Sequence, residues 1–238
     1  MAGHSKWANI KFRKGLQDAK RGKIFTKLIR EISVAARMGG GDESANSRLR
    51  DAITKALKAN MKRDTIDNAI KRGVGGLDGA NMIHMRYEGY GPGGAAVLVD
   101  CLSDNKNRTV SEVRHAFTKH GGNLGTDGSV AYLFKEQGEI LLAPTPDEEK
   151  AMDVAIDAGA IDVLVEEGQI EVVTASDKYH AILASMQAAN FEVEHSHITM
   201  RADIVVPLDT ETAESLEKLI DMLEDLDDVQ EVHTNAQF

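Results

Sequence analysis

Residues 18–40 read DAKRGKIFTKLIREISVAARMGG and carry a helical pattern. Apolar residues recur at steps of three and four, which places on one helix face Phe25, Leu28, Ile29, Ile32 and Ala36. A turn of about 100° per residue puts on the opposite face Lys20, Lys23, Lys27, Arg30 and Arg37. One face is therefore predicted to pack in a core while the other presents a row of cations. For a single helix, a solvated basic face is an equally good interpretation.

The charge of the chain is distributed very unevenly. This favours a basic face that binds an anion over one that is merely solvated. Residues 1–76 contain 18 Lys and Arg against 7 Asp and Glu, a net charge of +11. The rest of the chain's 28 basic and 38 acidic residues leaves 10 against 31, a net charge of −21. Such asymmetry predicts a cationic arm that binds an anion and an acidic body that repels phosphate everywhere else.

Composition predicts a soluble protein of the cytoplasm. Of the 238 residues, 42% are hydrophobic and 28% charged, as in globular proteins with real cores. No apolar run approaches the roughly 18 residues of a membrane span, and no apolar segment follows the basic N-terminus as in a secretory signal. The single Cys101 excludes an intramolecular disulfide and fits a reducing compartment.

The predicted fold class is α+β, beginning with a three-helix bundle in residues 1–77. Glycines 39–41 end the first helix. A second helix from about Asn46 to Asn60 turns inward Leu49, Ile53, Ala56 and Leu57. A third begins at Asp64 or Thr65 and ends at Gly73, after which a glycine-rich hinge is expected.

Two α/β lobes are predicted to follow the bundle. Strands from Met82 and Ala95, a helix opened by a capping box at Thr109–Glu112 and a strand at 130–134 form a ββαβ unit. Residues 139–197 read as strand, helix, two strands, helix and strand, the ferredoxin-like order. A final strand at 202–206, helix at 211–226 and strand at 229–233 complete the first lobe. The predicted domains are therefore 1–77, a discontinuous 78–135 with 200–238, and an inserted ferredoxin-like 136–199.

Short motifs that could indicate catalysis or cofactor binding lack the neighbouring structure or ligands that such sites require. Residues 89–94, GYGPGG, match G-x-G-x-x-G, but a strand follows instead of a helix, so a hairpin loop is predicted. His195 and His197 alternate on one strand face, but a structural metal site normally needs four ligands. The run Glu224–Asp228 is interpreted as a solvated helix end. We therefore expect no enzyme activity, no cofactor and no metal.

Residues for anion binding are abundant, because a nucleic-acid site needs cations that neutralise phosphates and an aromatic group that can stack on bases. Trp7 lies between Lys6 and Lys11 and could equally pin the arm to the bundle. A second basic group follows Asn105, although an ordinary exposed helix start would look the same. The candidate nucleic-acid-binding residues are Lys6, Trp7, Lys11, Arg13, Lys14, Lys20, Arg21, Lys23, Lys27, Arg30, Arg37, Arg108 and Arg114.

Long segments of the chain closely resemble the YebC/PmpR family: AGHSKWANIK, AKRGKIFTKLIREI, YEGYGPGGAA, NRTVSEVRHAFTKHGGNLGTDGSVAYLF and DMLEDLDDVQEVHTN. The resemblance covers nearly the whole chain and is weakest between Gly138 and Met200. It implies a three-domain cytoplasmic protein, usually a DNA-binding transcriptional regulator. Some members resemble translation factors instead: mitochondrial relatives activate synthesis of a cytochrome oxidase subunit, and bacterial ones are associated with ribosomes paused on proline-rich sequences.

Two functions therefore remain open. A DNA-binding regulator would lay the bundle on duplex phosphates, although no helix-turn-helix pattern predicts a base-reading helix. A ribosome-associated factor would use the basic arm and its aromatic residue on irregular ribosomal RNA. A metabolic enzyme with a pocket between the lobes is the least favoured alternative. No membrane partner is expected.

Overall fold

A computed structural model describes residues 21–75, 82–145, 147–166 and 168–237. Its helices are α1 (Arg21–Gly39), α2 (Ser47–Lys58), α3 (Arg63–Gly75), α4 (Lys106–Lys119), α5 (Glu148–Asp157), α6 (Tyr179–Ala188) and α7 (Thr210–Glu224). Its strands are β1 (Ile83–Tyr90), β2 (Ala96–Ser103), β3 (Asn123–Leu124), β4 (Phe134–Leu142), β5 (Asp162–Glu166), β6 (Gln169–Ala175), β7 (Val193–Ala202), β8 (Val206–Pro207), β9 (Val229–Thr234) and β10 (Ala236–Gln237). The predicted α+β class is confirmed.

Helices α1, α2 and α3 pack around one apolar core. The inward positions predicted for α1 are confirmed, since Ile32 and Ala36 are buried and three further residues pack against the same core. In α2 the prediction is wrong at Leu57, which is 47% exposed, while Ala52 is buried instead. Asn46 caps α2 by accepting from the backbone N–H of Leu49 at 3.1 Å.

Gly73 does not end α3 as predicted, because the helix continues to Gly75. A Cβ at Gly73 would lie 2.2 Å from the carbonyl oxygen of Ser33 and 3.0 Å from the Cβ of Ala36. The hydroxyl of Ser33 also donates to the carbonyl of Ala69 at 3.0 Å. The glycine is therefore needed for the close approach of α1 and α3, which sequence reasoning mistook for a helix stop.

The first sheet has the strand order β3-β1-β2-β9, with antiparallel neighbours. Its core contains buried residues of β2, β9, α4 and α7, so both helices pack on the sheet. The glycine-rich stretch forms a short 3₁₀ turn, Pro92–Gly94, between the paired strands β1 and β2. Gly93 and Gly94 have φ of 70° and 75°, which favours glycine. The predicted hairpin is confirmed.

Three predicted boundaries are wrong in this lobe. Helix α4 begins at Lys106 with Asn105 as its cap, three residues before the predicted capping box, because the Asn105 side chain already accepts from the Arg108 backbone N–H. The strand predicted at 130–134 is a 3₁₀ turn followed by the start of the long β4. The strand predicted at 202–206 is split between the end of β7 and the two-residue β8.

A buried carboxylate orders the loop that leads to β4. Glu88 in β1 accepts backbone N–H groups from Gly128, Val130 and Ala131, each at 2.7 Å. Burial alone would raise the pKa of Glu88, but these three hydrogen bonds outweigh it and lower the pKa. Glu88 thus fastens to the sheet both the loop and the first residue of the 3₁₀ turn that follows it.

The second sheet has the order β5-β6-β4-β7 and all its pairings are antiparallel. With α5 and α6 between the strands, this is the ferredoxin-like arrangement predicted from the sequence. Its core is lined by residues of both helices and of the central strands, including Ile140, Val172 and Ile182. By contact density the chain forms two compact units, Tyr132–Val205 and the remainder on either side of it. The three domain boundaries given above stay a prediction.

Gly73→Ala should lower the free energy of unfolding by about 2 kcal/mol, because the new methyl group meets a backbone carbonyl that cannot rotate away. Helix propensity alone predicts the opposite sign, a gain of about 1 kcal/mol. Urea unfolding followed by circular dichroism measures the difference. Asn68→Ala, at an exposed position of the same helix, is the control and should stay within about 0.5 kcal/mol. A Gly73→Ala protein as stable as the parent would contradict the close helix crossing.

Candidate nucleic-acid interface

The cationic face of α1 meets the C-terminal end of α7. Lys23 and Lys27 stand one helical turn apart, opposite residues 224–228 (EDLDD), which we call the acidic segment. Lys23 Nζ donates to the carbonyl oxygen of Asp225 at 3.1 Å and lies 3.7 Å from its carboxylate. Lys27 Nζ donates to the carbonyl oxygen of Glu224 at 2.6 Å. Both lysines therefore cap a helix end with their charge.

Arg30 continues the same row into the protein. Its Nη1 donates to the carbonyl oxygens of Asp227 at 2.9 Å and Leu102 at 3.2 Å, and to Asp228 Oδ1 at 3.3 Å. The last carbonyls of a helix lack intrahelical partners and carry the negative end of the helix dipole. A row of cations is well suited to such an end. Three predicted nucleic-acid-binding residues are thus engaged by acceptors of the chain itself.

Exposure falls along this row. The side chain of Lys23 is 50% exposed, that of Arg30 24%, and that of its partner Asp228 only 3%. Burial lowers the pKa of Lys27, and the neighbouring charge of Lys23 acts in the same direction. The negative charge of Glu224 opposes both effects without reversing them. The contact of Lys23 is therefore exposed to solvent and weak, whereas the contact of Arg30 with Asp228 is largely buried.

Asp228 is the centre of a hydrogen-bond network that sequence reasoning missed. Its Oδ2 accepts from the hydroxyls of Ser103 at 2.8 Å and Thr109 at 2.9 Å, and from Arg108 Nη2 at 2.8 Å. Burial would raise the pKa of Asp228, but hydrogen bonds from Arg108, Ser103 and Thr109 lower it. The interpretation of this run as a solvated helix end is wrong at Asp228. The only signal in the sequence was the complementary charge of distant segments.

The second predicted basic group is divided by the structure. Arg108 bridges Asp228 and Asp104, the latter at 3.0 Å, so its guanidinium serves the network. The hydrogen bonds from Asp228 and Asp104 raise the pKa of Arg108. Arg114, six residues further along α4, is exposed. Arg108 and Arg114 therefore do not form one basic patch.

A further group of charges connects α2 with the first sheet. Lys55 pairs with Glu231 of β9. Burial lowers the pKa of this lysine, but the charge of Glu231 and the hydrogen bond to it raise the pKa overall. On β2, burial would raise the pKa of Asp100, but hydrogen bonds from His233 and Arg86 lower it to about 2. Asp100 binds Arg86 through two hydrogen bonds of 2.7 and 3.0 Å. Of these pairs, Lys55 with Glu231 joins the bundle to the sheet, whereas Arg86 with Asp100 joins two strands of the sheet.

The remaining candidates are distributed as follows. Lys6, Trp7, Lys11, Arg13, Lys14 and Lys20 lie outside the described residues, as does the side chain of Arg21. Arg37 is exposed near the end of α1. Other basic residues of the bundle that are exposed are Lys58, Lys62, Arg63, Lys71 and Arg72. The structure brings together Lys23, Lys27, Arg30 and, through Asp228, Arg108.

His195 and His197 lie side by side on β7, with ring centroids 4.7 Å apart. His197 Nε2 is 3.9 Å from a carboxylate oxygen of Glu139, which also binds Arg201 at 2.8 Å. In the ranges that the structure describes, no three His, Cys, Asp or Glu side chains group as metal ligands. The carboxylate is instead engaged by an arginine.

Asp228→Asn should lower the free energy of unfolding by about 2 kcal/mol at neutral pH, because charge-assisted hydrogen bonds to Ser103, Thr109 and Arg108 are weakened. A carboxylate with a depressed folded pKa contributes stability above its unfolded value near 3.8 and loses it as the pH falls below that value. The difference between parent and variant should therefore shrink in acid. Urea unfolding across this pH range measures it, with the exposed neighbour Asp227→Asn as the control. A difference that is independent of pH would contradict the role of the charge.

Comparison with known proteins places this architecture in a family. Residues 5–76 match the model described as the TACO1/YebC protein N-terminal domain. Residues 82–236 match the model described as the TACO1/YebC second and third domain. In the described ranges, no helix combines the length and hydrophobicity that a membrane span requires.

Individual relatives agree. A protein of Legionella pneumophila named "Probable transcriptional regulatory protein" is 76% identical over 238 residues, covering 100% of this chain and 96% of the relative. One of the same name from Alcanivorax borkumensis is 58% identical over 240 residues, covering 100% and 97%. The crystal structure of a conserved hypothetical protein from Aquifex aeolicus is 46% identical with a TM-score of 0.80, over 92% of this chain and 91% of that one. The chain belongs to the TACO1/YebC family.

Proposed function

We propose that this chain is a non-enzymatic regulator of transcription that binds the phosphate backbone of duplex DNA through its N-terminal bundle. The observation that carries the proposal is the net charge of +11 in residues 1–76 against −21 in the rest. Regulation of transcription is the role that the names of the relatives give, and it comes to this chain by analogy with them.

The cations of α1 bind oxygen acceptors of the chain itself, and phosphate binding by α1 is proposed from the chemistry and spacing of these side chains. Lys23, Lys27 and Arg30 are spaced to reach a line of oxygen acceptors, as their bonds to the acidic segment demonstrate. Phosphate oxygens have the same acceptor chemistry and a full charge. Each neutralised phosphate releases condensed counterions, which is the main source of sequence-independent affinity. Exposed cations on α3 (Lys71 and Arg72) and just before it (Lys62) add to the basic surface of the bundle.

The acidic body restricts how the polymer can approach. With 10 basic against 31 acidic residues outside the bundle, most of the remaining surface repels phosphate. Contacts of this kind position a protein on the duplex and carry no sequence information. Selection of a target would then depend on groups beyond the phosphate-binding row, such as Trp7 and the segment around it.

The alternative of a ribosome-associated translation factor is not favoured by the names of the relatives. Sedimentation of cell lysate through a sucrose gradient separates the two functions. A transcriptional regulator should remain outside the ribosomal fractions and protect a defined DNA segment. Co-migration with ribosomal particles that requires residues 1–14 would overturn the choice of DNA.

Lys23→Glu combined with Lys27→Glu should weaken binding to duplex DNA by about tenfold or more at low salt, on every sequence alike. The slope of log Kobs against log salt should fall by about 1 for each phosphate contact removed. Fluorescence anisotropy of a labelled duplex measures both. The matched control is Lys150→Glu with Lys178→Glu, which changes the net charge equally at exposed positions of the inserted unit. Equal losses for the two pairs would contradict the placement of the site.

A further inference from the structure

We propose that the acidic segment is an internal competitor of DNA phosphates for Lys23, Lys27 and Arg30, so that the bundle is held in an autoinhibited state until DNA displaces the segment. This inference rests on the proposed function and adds a regulation of the same site. The segment presents to α1 the kind of oxygen that a phosphate would present.

Mutual exclusion follows from the geometry. The three side chains contact three carbonyl and two carboxylate groups of the acidic segment at 2.6–3.7 Å. Lys27 Nζ, at 2.6 Å from the carbonyl of Glu224, is already at hydrogen-bond contact. A phosphate on this row has to take the place of these acceptors, because its charge would otherwise lie beside the carboxylates of the segment.

The contact between α1 and the acidic segment is weak enough at its exposed end to open there first. The pair of Lys23 and Asp225 has side chains 50% and 47% exposed, and exposed ion pairs contribute little to stability. DNA offers a denser line of negative charge than the segment does. The contact therefore favours the closed state without making it permanent.

The network around Asp228 makes opening possible without leaving a buried charge unpaired. Arg30 binds Oδ1 of this carboxylate, whereas Ser103, Thr109 and Arg108 bind Oδ2. When Arg30 leaves, Asp228 keeps three donors. The loss of one donor from a buried carboxylate costs less where other donors still satisfy it. The hydrogen-bond network of Asp228 with Ser103, Thr109 and Arg108 thus stays intact on the sheet while α1 is released.

Neutralising the segment tests the competition. The variant Glu224→Gln, Asp225→Asn, Asp227→Asn keeps Asp228 and removes the carboxylates whose charges act on Lys27. Its control is Glu149→Gln, Asp153→Asn, Asp157→Asn, which removes three exposed charges from α5. With a labelled duplex of random sequence at about 50 mM NaCl, the first variant should bind about fivefold tighter than the control, at the lower end of typical coupling between sites.

The outcomes separate the two proposals. Equal affinity of the two variants, with the parent binding DNA, overturns the competition and leaves the proposed function intact. Absence of salt-dependent binding by the parent and both variants overturns the proposed function and the competition together. A gain seen with an RNA hairpin and not with the duplex overturns the choice of DNA.

Hydrogen exchange of the unaltered full chain provides a second test that needs no variant. A saturating amount of the same duplex should speed amide exchange in residues 224–228, since the segment loses its contacts with α1. Simple binding of DNA elsewhere would slow exchange or leave it unchanged. Unchanged or slower exchange in the segment, with the duplex bound, would show that α1 and the acidic segment stay together and would overturn the proposal.

Discussion

The buried carboxylate of Asp228 is the interaction on which the first compact unit depends. It receives donors from the end of β2, from the first turn of α4 and from α1, and it stands immediately before β9. A charge taken out of water is stable only when its lone pairs are satisfied. The donors from β2 and α4 bind one oxygen of this carboxylate and hold it on the sheet, whereas the donor from α1 binds the other oxygen. The same side chain connects the bundle to the sheet.

Electrostatics within the chain have two functions at once. The separation of a basic bundle from an acidic body creates attraction for a polyanion, and it also creates attraction between the two parts of the molecule. The contacts of Lys23, Lys27 and Arg30 with the acidic segment are the direct result. Charge complementarity of this kind is strongest at low salt and where water is excluded. Any polyanion that approaches α1 meets cations that already have partners.

Close backbone approaches shape the scaffold around these charges. Gly73 allows α3 to pass the backbone of α1 with no side chain between them, and Glu88 fastens an irregular loop through three backbone donors. At both positions the residue type is required by contacts with segments that are distant in the sequence. Such residues look like ordinary helix stops or surface acids when they are read in isolation.

The sequence by itself determined the α+β class, the ferredoxin-like order of the inserted strands, the hairpin at residues 89–94 and the amphipathic nature of α1. These features follow from local periodicity, turn chemistry and charge counts, which need no knowledge of distant neighbours. Only the tertiary structure decided that Asp228 is buried, that Arg108 donates to it and that three cations of α1 bind residues 224–228. The physical reason is that burial and ion pairing depend on which segments meet in space, and the run EDLDD has the same composition whether it is solvated or enclosed.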